Sequence, residues 1–142
     1  MERVTLKSKT KPLGDADYAA LAAFRHAIRQ FQAFSEQRAL EVGLTPQQHQ
    51  ALLAIRGCSP EEATVGYVAD RLILKPHSAT GLVNRLETLA LIVREVATED
   101  RRRALLRLTP KAYAMLDALS LVHREEIQRM RPLFGEIFAQ LD

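Results

Sequence analysis

The spacing of apolar residues predicts a mainly helical chain, because such residues recur at three- and four-residue steps over most of its length. The first helix is predicted over residues 15–42, with Asp15 or Asp17 at its start and Gly43 as its stop. In Thr45-Pro46-Gln47-Gln48, threonine, proline and the second glutamine occupy the positions of a capping box. A second helix is therefore predicted to begin there.

Further helices and a hairpin follow from the same patterns. The second helix ends at Gly57, and a short third helix is predicted from about Val65 to Leu72. The apolar period changes to two in residues 91–98 and 104–109, which predicts two strands joined by a charged tip, Glu99–Arg103. A last helix follows this hairpin.

The segment from Lys75 to Ala90 is the most informative, because as a helix it has one apolar face and one polar face. The inward residues are Ala79, Leu82, Val83, Leu86, Leu89 and Ala90. The opposite face has short hydrogen-bonding side chains, and its one acidic residue, Glu87, lies at the edge. Such side chains suit the base edges of a major groove, where Asn84 is able to pair with adenine and Arg85 with guanine. The predicted DNA contacts are Lys75, His77, Ser78, Thr80, Gly81, Asn84 and Arg85.

The net charge of +3 is small but unevenly distributed. An N-terminal arm, residues 1–14, and the block 64–110 each carry a net charge of +3, whereas the other segments are near neutral. Localised basic charge is expected for a polyanionic partner. The arm is predicted to follow phosphates or, equally, to be a disordered tail; its lysines are Lys7, Lys9 and Lys11.

Two short helices followed by a basic hairpin are typical of a winged helix-turn-helix. The predicted partner of such a motif is double-stranded DNA. The second short helix would enter the major groove, and the hairpin, as the wing, would reach the backbone or the minor groove. The predicted wing contacts are Asp100, Arg101, Arg102 and Arg103, with Asp100 holding an arginine through a bidentate pair. The fold class is thus mainly α (α+β). The predicted domains are the arm 1–14, a winged domain 43–110, and a helical dimerisation region 15–42 and 111–142.

Several sequence blocks resemble the MarR family of multiple-antibiotic-resistance regulators. They are LTPQQHQALLAI, TVGYVADRL, SATGLVNRLE, and the DRR of residues 100–102 followed by LLRLTP. The resemblance extends over roughly residues 15–120. It implies a homodimeric transcription regulator with a recognition helix from Pro76 and its wing arginine at Arg102. It also implies release of DNA by a small aromatic or phenolic ligand, or by an oxidant.

Two positions depart from the family pattern, which usually has glycine there. Ala90 follows the recognition helix, and Ala112 lies early in the helix after the wing. A left-handed conformation is costly for alanine. We therefore expect the recognition helix to end differently.

The apolar stripe of the last helix is expected to meet a second subunit. Pro132 should kink or restart this helix. One small domain has little left to cover the phenylalanines of both terminal helices. The predicted dimer interface is Leu21, Phe24, Leu133, Phe134, Ile137, Phe138 and Leu141. The family resemblance places an effector pocket between these helices and the winged domain, with the walls Phe31, Phe34, His49 and Tyr113.

The composition gives no support for a metal site, a bound cofactor or an enzymatic activity. Four dispersed histidines and one cysteine form no dense ligand cluster, and no nucleophile–base pair or glycine-rich phosphate loop is evident. The single Cys58 fits a reducing cytoplasm and is interpreted as an ordinary thiol. The sequence has no run of about 18 apolar residues, so no membrane span is predicted. The alternative function is an interaction module that keeps the winged fold but binds protein.

Overall fold

The computed structural model describes residues 12–100 and 102–141. Their elements, in chain order, are α1 (Asp15–Glu41), α2 (Pro46–Gly57), a 3-10 turn (Pro60–Glu62), α3 (Val65–Leu72), α4 (Pro76–Thr88), β1 (Ile92–Val96), β2 (Ala104–Leu108) and α5 (Pro110–Gln140). The predicted mainly helical winged helix-turn-helix fold is confirmed.

Three of these helices have a threonine as their N-cap residue. Thr45 Oγ1 accepts a hydrogen bond from the Gln48 N–H (3.2 Å), and the Thr45 N–H donates to Gln48 Oε1 (3.0 Å). The capping box predicted for α2 is therefore confirmed. Thr64 and Thr109 accept corresponding hydrogen bonds at the starts of α3 and α5.

Two features of the long helices differ from the prediction. The N-cap of α1 is Gly14, not Asp15 or Asp17, and the Asp17 carboxylate accepts the Gly14 N–H at 2.9 Å. The predicted restart at Pro132 is wrong, because α5 continues through this residue as one helix. A proline removes a single helical N–H donor. Pro132 is exposed, so water is able to bind the carbonyl that loses its partner.

Three helices end in the same left-handed turn, although only one of the turns has glycine. Gly43, Ile73 and Ala90 have φ values of 85°, 54° and 57°. In each turn the next N–H donates to the carbonyl five positions back at 2.9 Å, which is the Schellman pattern. The prediction that α4 ends differently because of Ala90 is therefore wrong. The Thr109 hydroxyl donates to the Ala90 carbonyl oxygen at 2.7 Å and holds this turn in place.

The two strands form an antiparallel hairpin that is shorter than predicted. Ile92 pairs with Leu108, and Val96 pairs with Ala104. Only Ile92 of β1 is buried, and Val93 and Val96 remain exposed. The alternating sequence of β1 therefore does not create a buried apolar face, because β1 and β2 make a two-stranded sheet at the surface.

The core of the winged domain lies where α2, α3, α4, the sheet and the start of α5 meet. Its largest fully buried side chains are Leu44, Leu52, Leu86, Leu91, Ile92, Leu106, Leu119, Val68 and Val83. The four inward residues of α4 up to Leu86 are buried as predicted. Leu89 and Ala90 are exposed instead, because they follow the last helical residue. The core fixes which face of α4 points outward.

α1 packs against α5 of the same chain. The Phe24 ring centroid lies 6.0 Å from that of Phe134 and 6.2 Å from that of Phe138. Ile137 is buried, whereas Phe138 remains 54% exposed. The two terminal helices thus supply aromatic partners for each other, whereas Phe138 keeps apolar surface that the chain itself does not cover.

Candidate nucleic-acid interface

The polar face of α4 is formed by the residues that the sequence predicts. Lys75 is the N-cap of the helix, and Gly81 is half-buried at its centre. A Cβ atom at Gly81 would meet Arg85 Nη2 at 3.7 Å, so the guanidinium of Arg85 lies beside the helix backbone. The exposed members of the face are Lys75, His77, Ser78, Thr80, Asn84 and Arg85.

Two threonine hydroxyls of α4 are already used as donors. Thr80 Oγ1 donates to the Pro76 carbonyl oxygen and Thr88 Oγ1 to the Asn84 carbonyl oxygen, each at 3.0 Å. A hydroxyl group has one hydrogen and two acceptor lone pairs. These side chains therefore present hydrogen-bond acceptors to a ligand.

The Asn84 side chain is held by an arginine that lies outside the helix. Arg94 Nη2, on β1, donates to Asn84 Oδ1 at 2.6 Å, and Arg94 Nε lies 3.4 Å from Glu87 Oε2. The acidic residue at the edge of the polar face is thus paired. Sequence reasoning missed Arg94, although the period-two pattern of its strand placed it on the hairpin that follows α4.

The tip of the wing is a turn organised by Asp100. Its carboxylate Oδ1 accepts the Arg102 backbone N–H at 2.9 Å, and its carbonyl oxygen accepts the Arg103 N–H at 3.0 Å. Asp100 therefore shapes the turn, and no ion pair of its carboxylate with a guanidinium occurs among the described residues. Arg101 and the arm lysines Lys7, Lys9 and Lys11 lie outside the described residues. The Arg102 side chain is exposed at this tip.

Two arginines attach the wing to the 3-10 turn. Arg103 Nη2 donates to the Glu61 carbonyl oxygen, and Arg107 Nη1 donates to the Pro60 carbonyl oxygen, both at 2.6 Å. Arg107 Nε also pairs with Glu95 Oε2 across the hairpin at 3.1 Å. The sequence placed Arg103 among the DNA contacts, but its guanidinium is engaged within the protein.

Comparison with a protein-family model agrees with this geometry. Residues 42–103 match the model described as the MarR family. These residues are therefore similar to the MarR family. A sequence search of curated proteins finds no match.

Solved structures of transcription regulators share the fold of this chain. MepR, a transcription regulator of the Staphylococcus aureus multidrug efflux pump MepA, has a TM-score of 0.70 at 20% identity, with 88% of this chain and 98% of that chain covered. AbsC, a MarR family transcriptional regulator from Streptomyces coelicolor, has a TM-score of 0.69 at 19% identity. The match covers 84% of this chain and 81% of AbsC. A MepR–DNA complex from S. aureus has a TM-score of 0.67 at 22% identity. The match covers 82% of this chain and 83% of that MepR chain.

Beside the winged helix-turn-helix, a cavity of about 450 Å³ opens between α1, α2 and α5. Phe31 and His49 line it as predicted, together with His123. Arg124 and Arg131 supply positive charge at its wall. Its volume lies in the range of small-molecule sites, and its wall combines apolar and cationic groups.

The two histidines of this cavity have different hydrogen bonds. His123 Nδ1 donates to the Leu119 carbonyl oxygen at 2.7 Å, and its Nε2 lies 2.8 Å from Ser35 Oγ. His49 is buried, its ring centroid lies 4.9 Å from that of His123, and its Nδ1 has no hydrogen-bond partner among the described residues. Burial, and secondarily the nearby His123, lower the pKa of His49 to about 4. His49 is therefore neutral near pH 7.

The two other predicted pocket residues lie at different places. Phe34 packs edge-on against His123 with ring centroids 5.5 Å apart. Tyr113 lies outside this cavity, because it is on the first turn of α5, about three helical turns before His123. It contacts Arg56 and lines a separate cavity of about 230 Å³ that includes Cys58. The prediction that Tyr113 shares the pocket of His49 is therefore wrong.

Cys58 is half-buried, and its Sγ donates to the Ile55 carbonyl oxygen at 3.4 Å. Burial, followed by the charge of Glu62, raises the pKa of the Cys58 thiol. Because the thiolate is the nucleophilic form, a raised pKa lowers the reactivity of this group. These contacts agree with the interpretation of Cys58 as an ordinary thiol.

Apolar side chains remain exposed on the α1 and α5 helices that flank the winged helix-turn-helix. Four predicted interface residues are more than a third exposed: Leu21 (44%), Leu133 (38%), Phe138 (54%) and Leu141 (39%). Tyr18 and Leu13 add to the exposed apolar surface at the start of α1. We call the surface formed by Leu21, Leu133, Phe138 and Leu141 the terminal-helix patch.

Within the described ranges, no helix is long and apolar enough to cross a membrane. The same residues contain no group of three or more side chains that would hold a metal ion.

Proposed function

We propose that this chain is a homodimeric DNA-binding transcription regulator, and that it represses transcription until a small aromatic or phenolic effector binds. The observation that carries the proposal is the polar face of α4 beside the wing. Its one acidic side chain, Glu87, is paired with Arg94, so the face offers cations and hydrogen-bonding groups without an unpaired carboxylate. The similar fold of a MepR–DNA complex supports this proposal.

In the proposed complex, α4 lies in the major groove and the wing tip approaches the adjacent minor groove. Phosphate contacts by arginine and lysine supply most of the affinity, so binding weakens as the salt concentration rises. Exposed side chains of α4 read base edges and supply the sequence preference. Arg102 is the wing contact, because Arg103 is engaged with Glu61.

A second copy of the chain is the proposed occupant of the terminal-helix patch. Exposed apolar side chains from both α1 and α5 contribute to it. A patch of this kind is typical of a protein–protein interface, and two-fold symmetry is the commonest arrangement of a homodimer. A two-fold dimer presents two α4 helices, so we expect an inverted-repeat site with half-sites about one helical turn apart.

The cavity lined by Phe31, His49 and His123 is the proposed effector site. His49 is neutral near pH 7, and its Nδ1 has no hydrogen-bond partner in the part of the chain that the structure describes, which suits this atom to accept a hydrogen bond from a phenolic hydroxyl. The cavity is shared by α2, which packs against α4, and by the two long helices. An effector lowers DNA affinity only if it prefers an arrangement of these helices that does not fit the operator.

Selection of bound duplexes from a random DNA pool tests this proposal. We expect wild-type protein to enrich an inverted repeat, and Asn84→Ala to lose preference at one position of each half-site. Weak enrichment of unrelated sequences at low salt would contradict specific DNA binding. That result would favour the alternative, a winged-helix module that binds protein.

A further inference from the structure

The guanidinium of Arg94 connects the wing to the base-reading face of α4. It bridges two residues one helical turn apart, with Nη2 2.6 Å from Asn84 Oδ1 and Nε 3.4 Å from Glu87 Oε2. Arg94 itself pairs with Leu106 in the hairpin, so its backbone is fixed by the wing. About a third of its side chain is exposed. Arg94 thus belongs to the surface that would meet DNA without being on α4.

We propose that Arg94 is a positioning residue that determines which bases Asn84 reads. It holds Asn84 Oδ1 toward the wing and leaves the Nδ2 donors for DNA. Asn84 would then recognise a hydrogen-bond acceptor on a base edge instead of pairing bidentately with adenine. This inference rests on the proposed DNA-binding function.

The chemistry of arginine determines the orientation of the amide. A guanidinium has only donors, so the Asn84 atom that faces Arg94 has to be the oxygen. A flipped amide would place its own donors against those of Arg94 and lose a charge-assisted hydrogen bond. The contact with Glu87 holds the guanidinium at the same place. Asn84 is therefore preorganised as a donor before DNA arrives.

This orientation changes the predicted base preference. Bidentate pairing with adenine requires Oδ1 to accept from the adenine N6 amino group while Nδ2 donates to N7. An amide oxygen has two lone pairs, so the orientation decides: because Arg94 turns Oδ1 toward the wing, Nδ2 is left to donate to N7 or O6 of guanine, N7 of adenine or O4 of thymine. Cytosine offers a donor at the same edge and is disfavoured. We therefore expect acceptor-bearing bases at this position, without a special preference for adenine.

The experiment compares base preference at the position that Asn84→Ala identifies. Random-pool selection is followed by fluorescence-anisotropy titration of four duplexes that differ only at that position. Arg94→Met frees Oδ1 for adenine, and we expect the adenine-to-guanine affinity ratio to rise about tenfold. Arg94→Lys keeps a charged donor and should stay near the wild-type ratio. Arg129→Met is the matched control, since it removes an arginine that is paired with a glutamate on α5.

A second variant tests the donor role of Asn84 if Arg94→Met folds poorly. Asn84→Asp retains the shape and the contact with Arg94 but replaces the Nδ2 donors by an acceptor. We expect its preference to shift toward cytosine, whose N4 amino group is a donor. An unchanged order of the four bases in Asn84→Asp would overturn the inference.

The remaining outcomes separate this inference from the proposed function. If Arg94→Met loses affinity equally for all four duplexes and its salt dependence is shallower, Arg94 contacts phosphate. That result would overturn this inference but not the proposed function. An unchanged base ratio in the same variant would also overturn this inference. If wild-type protein enriches no sequence, the proposed function itself fails and this inference fails with it.

Discussion

The Arg103 guanidinium donates to the Glu61 carbonyl oxygen at 2.6 Å, which connects residues 42 positions apart in the chain. This hydrogen bond attaches the residue just before β2 to the 3-10 turn that follows α2. Together with the bond from Arg107 to Pro60, it fixes the angle of the wing relative to the helices. Of the three consecutive arginines, Arg103 therefore has a structural contact, whereas the Arg102 side chain is exposed at the tip.

Arg102→Ala and Arg103→Ala are expected to have different effects. Arg102→Ala should weaken binding to all duplexes and reduce the slope of log affinity against log salt by about 1, because one phosphate contact is lost. Arg103→Ala should leave that slope nearly unchanged but lower the free energy of unfolding by about 1 kcal/mol, because it removes an internal hydrogen bond. Anisotropy titrations at several salt concentrations and urea unfolding measure the two effects. A reduced slope in Arg103→Ala alone would contradict the assignment.

The left-handed turns at Ile73 and Ala90 predict two stabilising substitutions. Ile73 is 92% exposed and Ala90 is also exposed, so glycine removes backbone strain without loss of core packing. We expect Ile73→Gly and Ala90→Gly each to raise the free energy of unfolding by about 1 kcal/mol. Ala118→Gly, in the interior of α5, is the matched control and should lower it by about 1 kcal/mol. Destabilisation by all three variants, measured by urea unfolding, would argue against strain in these turns.

Buried His49 predicts a specific loss of stability in mild acid. Its pKa is about 4 in the folded chain and about 6.5 in the unfolded chain, so only the unfolded state binds a proton between these values. The contribution of His49 to stability is therefore lost as the pH falls from 6.5 to 4 and changes little outside that interval. His49→Leu lacks this titration, and its unfolding free energy should fall less than that of wild type over the same interval. A constant difference between the two curves from pH 8 to pH 4 would rule out this effect.

The terminal-helix patch predicts a dimer that a single charge disrupts. Phe138→Glu places a carboxylate on a half-exposed aromatic position and should shift wild-type dimers toward monomers in sedimentation velocity. Leu121→Glu is the matched control, because Leu121 is 52% exposed on the same helix but lies outside the patch. Equal dissociation by both variants, or a monomeric wild type, would contradict the proposed interface.

Local patterns in the sequence were sufficient for the element order and for the outward face of α4. The capping box at Thr45 and the apolar period of α4 depend on residues within one or two turns of each other. The pairing of Arg94 with Asn84 and of Arg103 with Glu61 depends instead on how the hairpin packs, which spacing along the chain does not determine. The end of α4 was mispredicted for the same reason. Its strained Ala90 is held by Thr109, which is 19 residues away.

A salt-dependent anisotropy titration of wild-type protein tests most directly whether this chain binds DNA with sequence specificity. It compares the inverted-repeat duplex recovered from the pool with a shuffled duplex of the same composition, between about 50 and 200 mM salt. We expect affinity for the inverted repeat about a thousandfold or more above that for the shuffled duplex, with steep weakening of both as salt rises. Equal weak affinities for the two duplexes, or binding that does not respond to salt, would contradict it.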